Sequence, residues 1–216
     1  MSSKSRKYIL LIIALFLLLP VVLAGNSPQQ TAADRLKMDQ QAHRKKLHSL
    51  WENHGNWTRL FIISTLDDRE YRDPTKNHLL DNQHNIGEAL KPFYGDKASE
   101  QFASLLAVHV QITGEMLQAA KTADAALFED AVDRWYANGD EIAEFLHAIN
   151  PGQWRLDETK TIFREYLDLT LELALARWNG DFEADIAATE KVRAQAAAIA
   201  DMLSEGIIKQ FPDRFE

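Results

Sequence analysis

The sequence predicts an all-α protein: an antiparallel up-down helical bundle of four long helices and one or two shorter ones, preceded by an N-terminal signal segment. Two observations predict the fold class. Behind the leader, apolar side chains recur every three to four residues, and no stretch alternates between apolar and polar residues as a half-buried strand does. Short connections rich in Gly, Pro, Asn and Asp separate these segments, so consecutive helices are expected to be antiparallel neighbours.

Six helices are expected, and the local signals at their ends define them. Pro92 and Gly95 break the chain after the second helix, and Asp96 is a good N-cap for the third. An acidic loop over residues 67–74 ends the first helix. The predicted helices span 32–65, 76–90, 96–122, 124–149, 157–179 and 181–209. No fixed-period repeat of the solenoid kind is evident.

The later helices have equally clear stops. Asn150-Pro151-Gly152 ends the fourth helix, and Asn179-Gly180 suits the left-handed C-cap of the fifth. Pro212 ends the sixth helix, and Phe211 and Phe215 behind it are expected to pack back on the end of the bundle.

Residues 1–24 have the parts of a secretory signal peptide. Three basic residues precede an apolar run, and Val22 and Ala24 are small residues at the positions that signal peptidase reads. Cleavage is expected before Gly25. An uncleaved anchor is the alternative, because the run of seventeen residues just suffices to cross a bilayer. The protein is therefore expected to be exported, to the periplasm, the cell surface or the medium, with residues 25–216 as one domain.

Composition excludes several kinds of chemistry. The chain has no cysteine, which excludes disulfides, thiolate metal sites and c-type haem attachment. Its formal net charge is −8, and removal of the leader with its three positive charges leaves −11. Such an acidic body argues against nucleic acid or anionic lipid as a partner. A membrane is expected to be involved only through an uncleaved leader.

Polar side chains interrupt the apolar stripes of four predicted helices. We expect the stripe positions to meet inside the bundle. The functional interpretation is a small-ligand, metal or haem site, and the structural one is a hydrogen-bond network that sets helix register. A metal would use His54 and His109, with Asp140 as a third ligand. The polar candidates are His54, Gln83, His109 and Asn138 on the stripes, with Asn82 and Asp140 beside them.

Other candidates are weaker. Arg59 is expected to pair with Asp140 or Glu141. A di-iron bundle needs two Glu-x-x-His motifs, and the chain has one, Glu144 to His147. No hydrolase, P-loop or dinucleotide motif is present. The remaining histidines are expected at the surface or at helix caps: His43, His48, His78, His84 and His147.

Several segments together resemble a family of small exported bacterial helical proteins of unestablished function. The resemblance covers most of the mature chain and implies an exported helical protein. Some relatives are labelled acetylglutamate kinase, an activity that needs an α/β fold with a glycine-rich phosphate site, and this sequence offers neither. The segments are Leu50-Trp51-x-x-His54-x-x-Trp57-Thr58-Arg59, Asn82-Gln83-x-x-Ile86-Gly87, Pro92-Phe93-Tyr94-Gly95, Trp135 to Ala143 and Gly206 to Pro212.

These observations predict a non-enzymatic binding or interaction module of the cell envelope, whose partner is an unknown protein or small ligand. No cofactor is expected. A bundle that binds a divalent metal or b-type haem through its core histidines is the alternative, and an enzyme of unknown type is a further one.

Overall fold

The computed structural model describes residues 32–215, with side chains from residue 39 onward. This described part contains five α-helices, one 3-10 helix and no β-strand, which confirms the predicted all-α class. The predicted signal segment lies outside the described residues. The helices are α1 (Ala32–Leu66), α2 (Arg72–Lys121), α3 (Ala125–Ile149), α4 (Leu156–Trp178) and α5 (Phe182–Gln210), followed by the 3-10 helix Pro212–Phe215.

Helix α2 is a hairpin of two arms rather than one rod. Gly95 has φ 81° and ψ 177°, a backbone conformation that residues with a Cβ rarely adopt. A Cβ at Gly87 would lie 2.6 Å from the backbone oxygen of Ser99, although residues twelve apart in a continuous helix are about 18 Å apart. The arms, 72–94 and 96–121, therefore fold back on each other, which confirms the predicted break.

The first arm begins at Arg72, four residues before the predicted start. Pro74 lies in its first turn. Proline is tolerated there because the N–H groups of a first helical turn have no partner inside the helix. The predicted loop over residues 67–74 is therefore too long, and the connection covers only 67–71.

The helices run alternately up and down and close into a ring. Helix α1 packs against α2 and α5, α3 packs against α2 and α4, and α4 packs against α5. The Lys121 ammonium donates to the Thr65 carbonyl, and Arg177 forms an ion pair with Asp67. The connections 67–71, 122–124 and 179–181 therefore lie at one end of the bundle, here called the three-turn end.

The ring consists of three similar hairpins, a relationship that the sequence analysis missed. In each hairpin the first helix has a buried His or Tyr near its middle. A side-chain amide of the second helix donates to the backbone carbonyl of the residue four positions before that His or Tyr. The first helices share Leu50-x-x-x-His54-x-x-x-Thr58, Leu105-x-x-x-His109-x-x-x-Thr113 and Ile162-x-x-x-Tyr166-x-x-x-Thr170, and the second helices share Asn82-x-x-x-Ile86-Gly87-x-x-Leu90, Asn138-x-x-x-Ile142-Ala143-x-x-Leu146 and Gln195-x-x-x-Ile199-Ala200-x-x-Leu203.

The C-terminal tail packs on the opposite end of the bundle, as predicted. The Phe215 ring is buried and stacks on Phe93 at 5.6 Å between centroids, and Phe211 contacts the same ring. His43 also packs against Phe93 and Phe215. It is half-buried, because the tail covers one side of its ring.

Candidate functional site

The polar side chains of the stripes meet in the middle of the bundle. His54 and His109 are 3% and 7% exposed, which confirms that both face the core. Each imidazole contacts an amide of the next helix in its own hairpin. Gln83 Nε2 donates to His54 Nδ1 at 3.0 Å, and His109 Nδ1 donates to Asn138 Oδ1 at 3.0 Å. The two histidines are thus held in opposite tautomers.

Side-chain amides in this layer also donate to backbone carbonyls. Gln83 Nε2 donates to the carbonyl of Leu79, and the Asn82 amide, one residue before it, reaches Leu50. Because both imidazoles are buried among apolar side chains, the core favours uncharged rings. Burial, with a smaller contribution from the nearby His109, lowers the pKa of His54 to about 3. Burial also lowers the pKa of His109 to about 4, against a smaller opposing effect of the Asn138 hydrogen bond.

Tyr166 is the third member of this layer. It occupies the position in the third hairpin that the two histidines hold in the first and second, and it is 2% exposed. Its ring lies 5.6 Å from the His54 ring, and burial raises its pKa. The signal that finds Tyr166 is the repeated spacing to a threonine four residues later, which links it to His54 and His109.

The space between these rings is too small for a haem. The cavity that His54, His109 and Tyr166 share holds about 10 Å³, room for one water molecule at most. Both imidazole Nδ1 atoms are already bonded to amides. Among the described residues, no three His, Cys, Asp or Glu side chains come together as a metal site.

Asp140 does not join the polar core. Its carboxylate accepts two hydrogen bonds from Arg164, at 2.9 and 2.6 Å, and Lys160 lies 3.6 Å away. The hydrogen bonds from Arg164 hold the pKa of Asp140 below its usual value. Asp140 was expected beside the histidines because it follows Asn138 closely, but two residues turn a helix by about 200° and place it on the outer face.

Arg59 forms a different ion pair from the one predicted. Its guanidinium donates to both carboxylate oxygens of Asp185, at 3.2 and 2.9 Å, so the predicted pairing with Asp140 or Glu141 is wrong. In the closed ring of helices, α5 packs against α1. Helix α3, which contains Asp140 and Glu141, lies on the other side of the bundle from the face of α1 that contains Arg59. Asp185 is 1% exposed, and Arg177 approaches the same carboxylate at 3.9 Å.

Replacing Arg59 by Met is expected to cost on the order of 2 kcal/mol of unfolding free energy, because it leaves a buried carboxylate with one distant cation. Urea unfolding at neutral pH measures this loss. Adding Asp185→Leu should restore much of it, since an apolar pair avoids the buried charge. Arg164→Met removes a similar pair from a more exposed place and should change stability little. An Arg59→Met protein as stable as the Arg164→Met protein would contradict the burial argument.

Outside the core, a cleft of about 710 Å³ lies at the three-turn end, within the usual range for small-ligand sites. The 96–121 arm of α2 and the end of α1 form its floor, and the N-terminal parts of α2 and α3 form its walls. Phe61 and Gly114 contribute apolar surface to the floor. The polar lining includes Arg72, Asp73, Lys76, Gln111, Glu115 and Arg134. The cleft could not be predicted from the sequence, because the residues that line it come from four separate segments.

A smaller apolar groove lies next to the cleft, on the other side of the same arm. It encloses about 270 Å³ between the end of that arm, the start of α3 and the end of α4. Leu175 and Trp178 of α4 line it and are 46% and 48% exposed. Of the large apolar side chains that are exposed in residues 39–215, all but Val108 lie near one of the three turns: Tyr71, Leu127, Leu175, Trp178, Phe182 and Ile186.

Comparison with known proteins gives no relative. The chain matches no family model, no curated protein and no solved structure. Its resemblance to the small exported bacterial family therefore stays a prediction, and the case for function depends on the geometry of the bundle. None of the helices between residues 32 and 215 is both long and apolar enough to cross a membrane.

Proposed function

We propose that this chain is a non-enzymatic binding module of the cell envelope, exported by its N-terminal segment, with its ligand-binding surface at the three-turn end. The observation that carries the proposal is the concentration of exposed apolar side chains around the cleft and the groove at that end. Large exposed apolar patches usually mark binding surfaces, since burying them in a complex removes them from water.

The closed polar core supports this assignment by contrast. The Nδ1 atom of each imidazole is hydrogen-bonded to a side-chain amide, and the cavity between the rings has room for one water molecule at most. A buried network of this kind favours one register of packed helices over its alternatives. We therefore assign His54, Gln83, His109 and Asn138 a structural role, with Asn82 beside them.

Fragment binding followed by NMR tests the location of the site. When a library of small apolar and polar fragments is titrated into the labelled protein, we expect amide shifts to change mainly around 111–128 and 171–178. These segments line the cleft and the groove. Shifts concentrated at the histidine layer or at the Gly95 end, or no bound fragment at all, would rule the proposal out.

Two matched substitutions, each replacing an exposed apolar residue by glutamate, test whether fragments bind this surface or any exposed apolar residue. Leu175 is 46% exposed in the groove, and Val108 is 40% exposed at mid-bundle. Leu175→Glu should abolish fragment binding in the groove, because an unpaired carboxylate resists desolvation, whereas Val108→Glu should leave it unchanged. Equal losses in both variants would mean that the fragments bind apolar surface without a defined site.

A further inference from the structure

The geometry points to a zwitterionic ligand for the cleft, and we propose that it binds a short peptide with free termini and apolar side chains. This inference rests on the proposed binding function and adds the class of ligand. The cleft has two cations on one wall, an accessible carboxylate on the 96–121 arm, apolar surface and a buried hydroxyl group without a partner, and each of these favours one part of such a ligand.

The wall formed by the first turn of α2 has a net positive charge. Arg72 and Lys76 lie there with one carboxylate, Asp73, which is 72% exposed and 2.8 Å from Arg72. Lys76 is half-buried and has no ion pair with any residue from 39 to 215. Because exposed ion pairs are weak, a ligand carboxylate can displace Asp73, and the helix N-terminus adds to the attraction.

An accessible carboxylate lies on the 96–121 arm, across the cleft from Lys76. Glu115 lines the cleft and is 56% exposed, so it is accessible to a ligand. Its partner is Arg134, which also pairs at 2.8 Å with Asp130, a residue that does not line the cleft. Because exposed ion pairs are weak, a ligand ammonium group can take the place of Arg134 at Glu115 while Arg134 keeps its pair with Asp130.

The floor offers apolar surface and one unsatisfied polar group. Phe61, Gly114 and Ala119 form the apolar part. Thr65 also lines the cleft, is 3% exposed, and its hydroxyl has no hydrogen-bond partner. Buried hydroxyls are rarely left unpaired, so this one is suited to an amide group of a bound peptide.

The spacing of the two charges favours a peptide over a single amino acid. Lys76 belongs to the first arm of α2 and Glu115 to the 96–121 arm packed against it, and packed helices are about 8–10 Å apart. The charges of a free amino acid are too close together to reach both side chains. An extended tripeptide spans roughly 10 Å between its termini, which suits one helix spacing.

Isothermal titration with trileucine tests the proposal. We expect trileucine to bind, and its N-acetyl and C-terminal amide derivatives to bind about tenfold more weakly each, because each lacks one charged hydrogen bond. Lys76→Gln should weaken trileucine about tenfold and leave the affinity for the amide derivative unchanged. Glu115→Gln should do the same with respect to the N-acetyl derivative.

Controls separate this proposal from the binding function itself. Lys97→Gln and Glu100→Gln remove the same charges from exposed positions at the Gly95 end and should leave trileucine binding intact. If trileucine and its blocked forms bind equally, or if trileucine does not bind at all, the zwitterion assignment is wrong. Fragment binding at the three-turn end would still stand in that case, so the two claims fail separately. Free leucine that binds as tightly as trileucine would overturn the peptide in favour of an amino acid.

Discussion

Acid is expected to destabilise this protein strongly between about pH 6.5 and pH 5. His54 and His109 have pKa values of about 3 and 4 in the folded protein, and about 6.5 when unfolded. Below pH 6.5 the unfolded chain binds protons that the folded chain does not, so stability is fully present above that pH and falls as pH decreases. Each histidine contributes a loss of about 1.4 kcal/mol per pH unit, which makes about 4 kcal/mol for the pair at pH 5.

Urea unfolding as a function of pH measures this effect, and histidine variants assign it. The His54→Gln/His109→Gln protein should be less stable near neutral pH, because a buried hydrogen-bond network is disturbed. Its stability should nevertheless change less between about pH 6.5 and pH 5 than that of the unaltered protein. His84 is exposed, and His84→Gln should keep the original slope. Parallel pH profiles for all three proteins would show that the buried rings do not dominate acid sensitivity.

Gly206→Ala is expected to cost on the order of 3 kcal/mol of unfolding free energy. A Cβ at Gly206 would lie 2.0 Å from Trp154 Nε1 and 2.7 Å from Cε2, well inside contact distance. The Trp154 indole is 1% exposed and donates a hydrogen bond to the Met202 carbonyl, so it has little room to move. The substitution therefore forces either the indole or α5 to shift.

Thermal and urea unfolding measure this loss, and indole fluorescence reports whether Trp154 becomes exposed. Gly152→Ala is the matched control, because a Cβ there meets no atom within 4 Å. It lies in the connection between α3 and α4, near Trp154 in sequence, and should leave stability nearly unchanged. A Gly206→Ala protein with the stability and fluorescence of the Gly152→Ala protein would contradict the packing described here.

Local sequence determined the helices and their ends. Periodicity and turn signals are short-range properties, so two helices were predicted to begin at Asp124 and Asp181, and each of these carboxylates accepts a hydrogen bond from the N–H three residues later. The stripe positions of His54 and His109 likewise sufficed to predict burial. The break near Gly95 followed from Pro92 and from glycine's conformational freedom, without knowledge of what the arms would contact.

Only the tertiary structure decided which helix faces meet. Arg59 pairs with Asp185, 126 residues away, because ring closure places α5 beside α1. Tyr166 joins the histidine layer because three hairpins surround one axis, and the cleft is lined by four segments that only the packed bundle brings together. The physical reason is the same in each case. The hydrophobic pattern states which side of a helix is buried, but the neighbour on each flank depends on how all the helices pack at once.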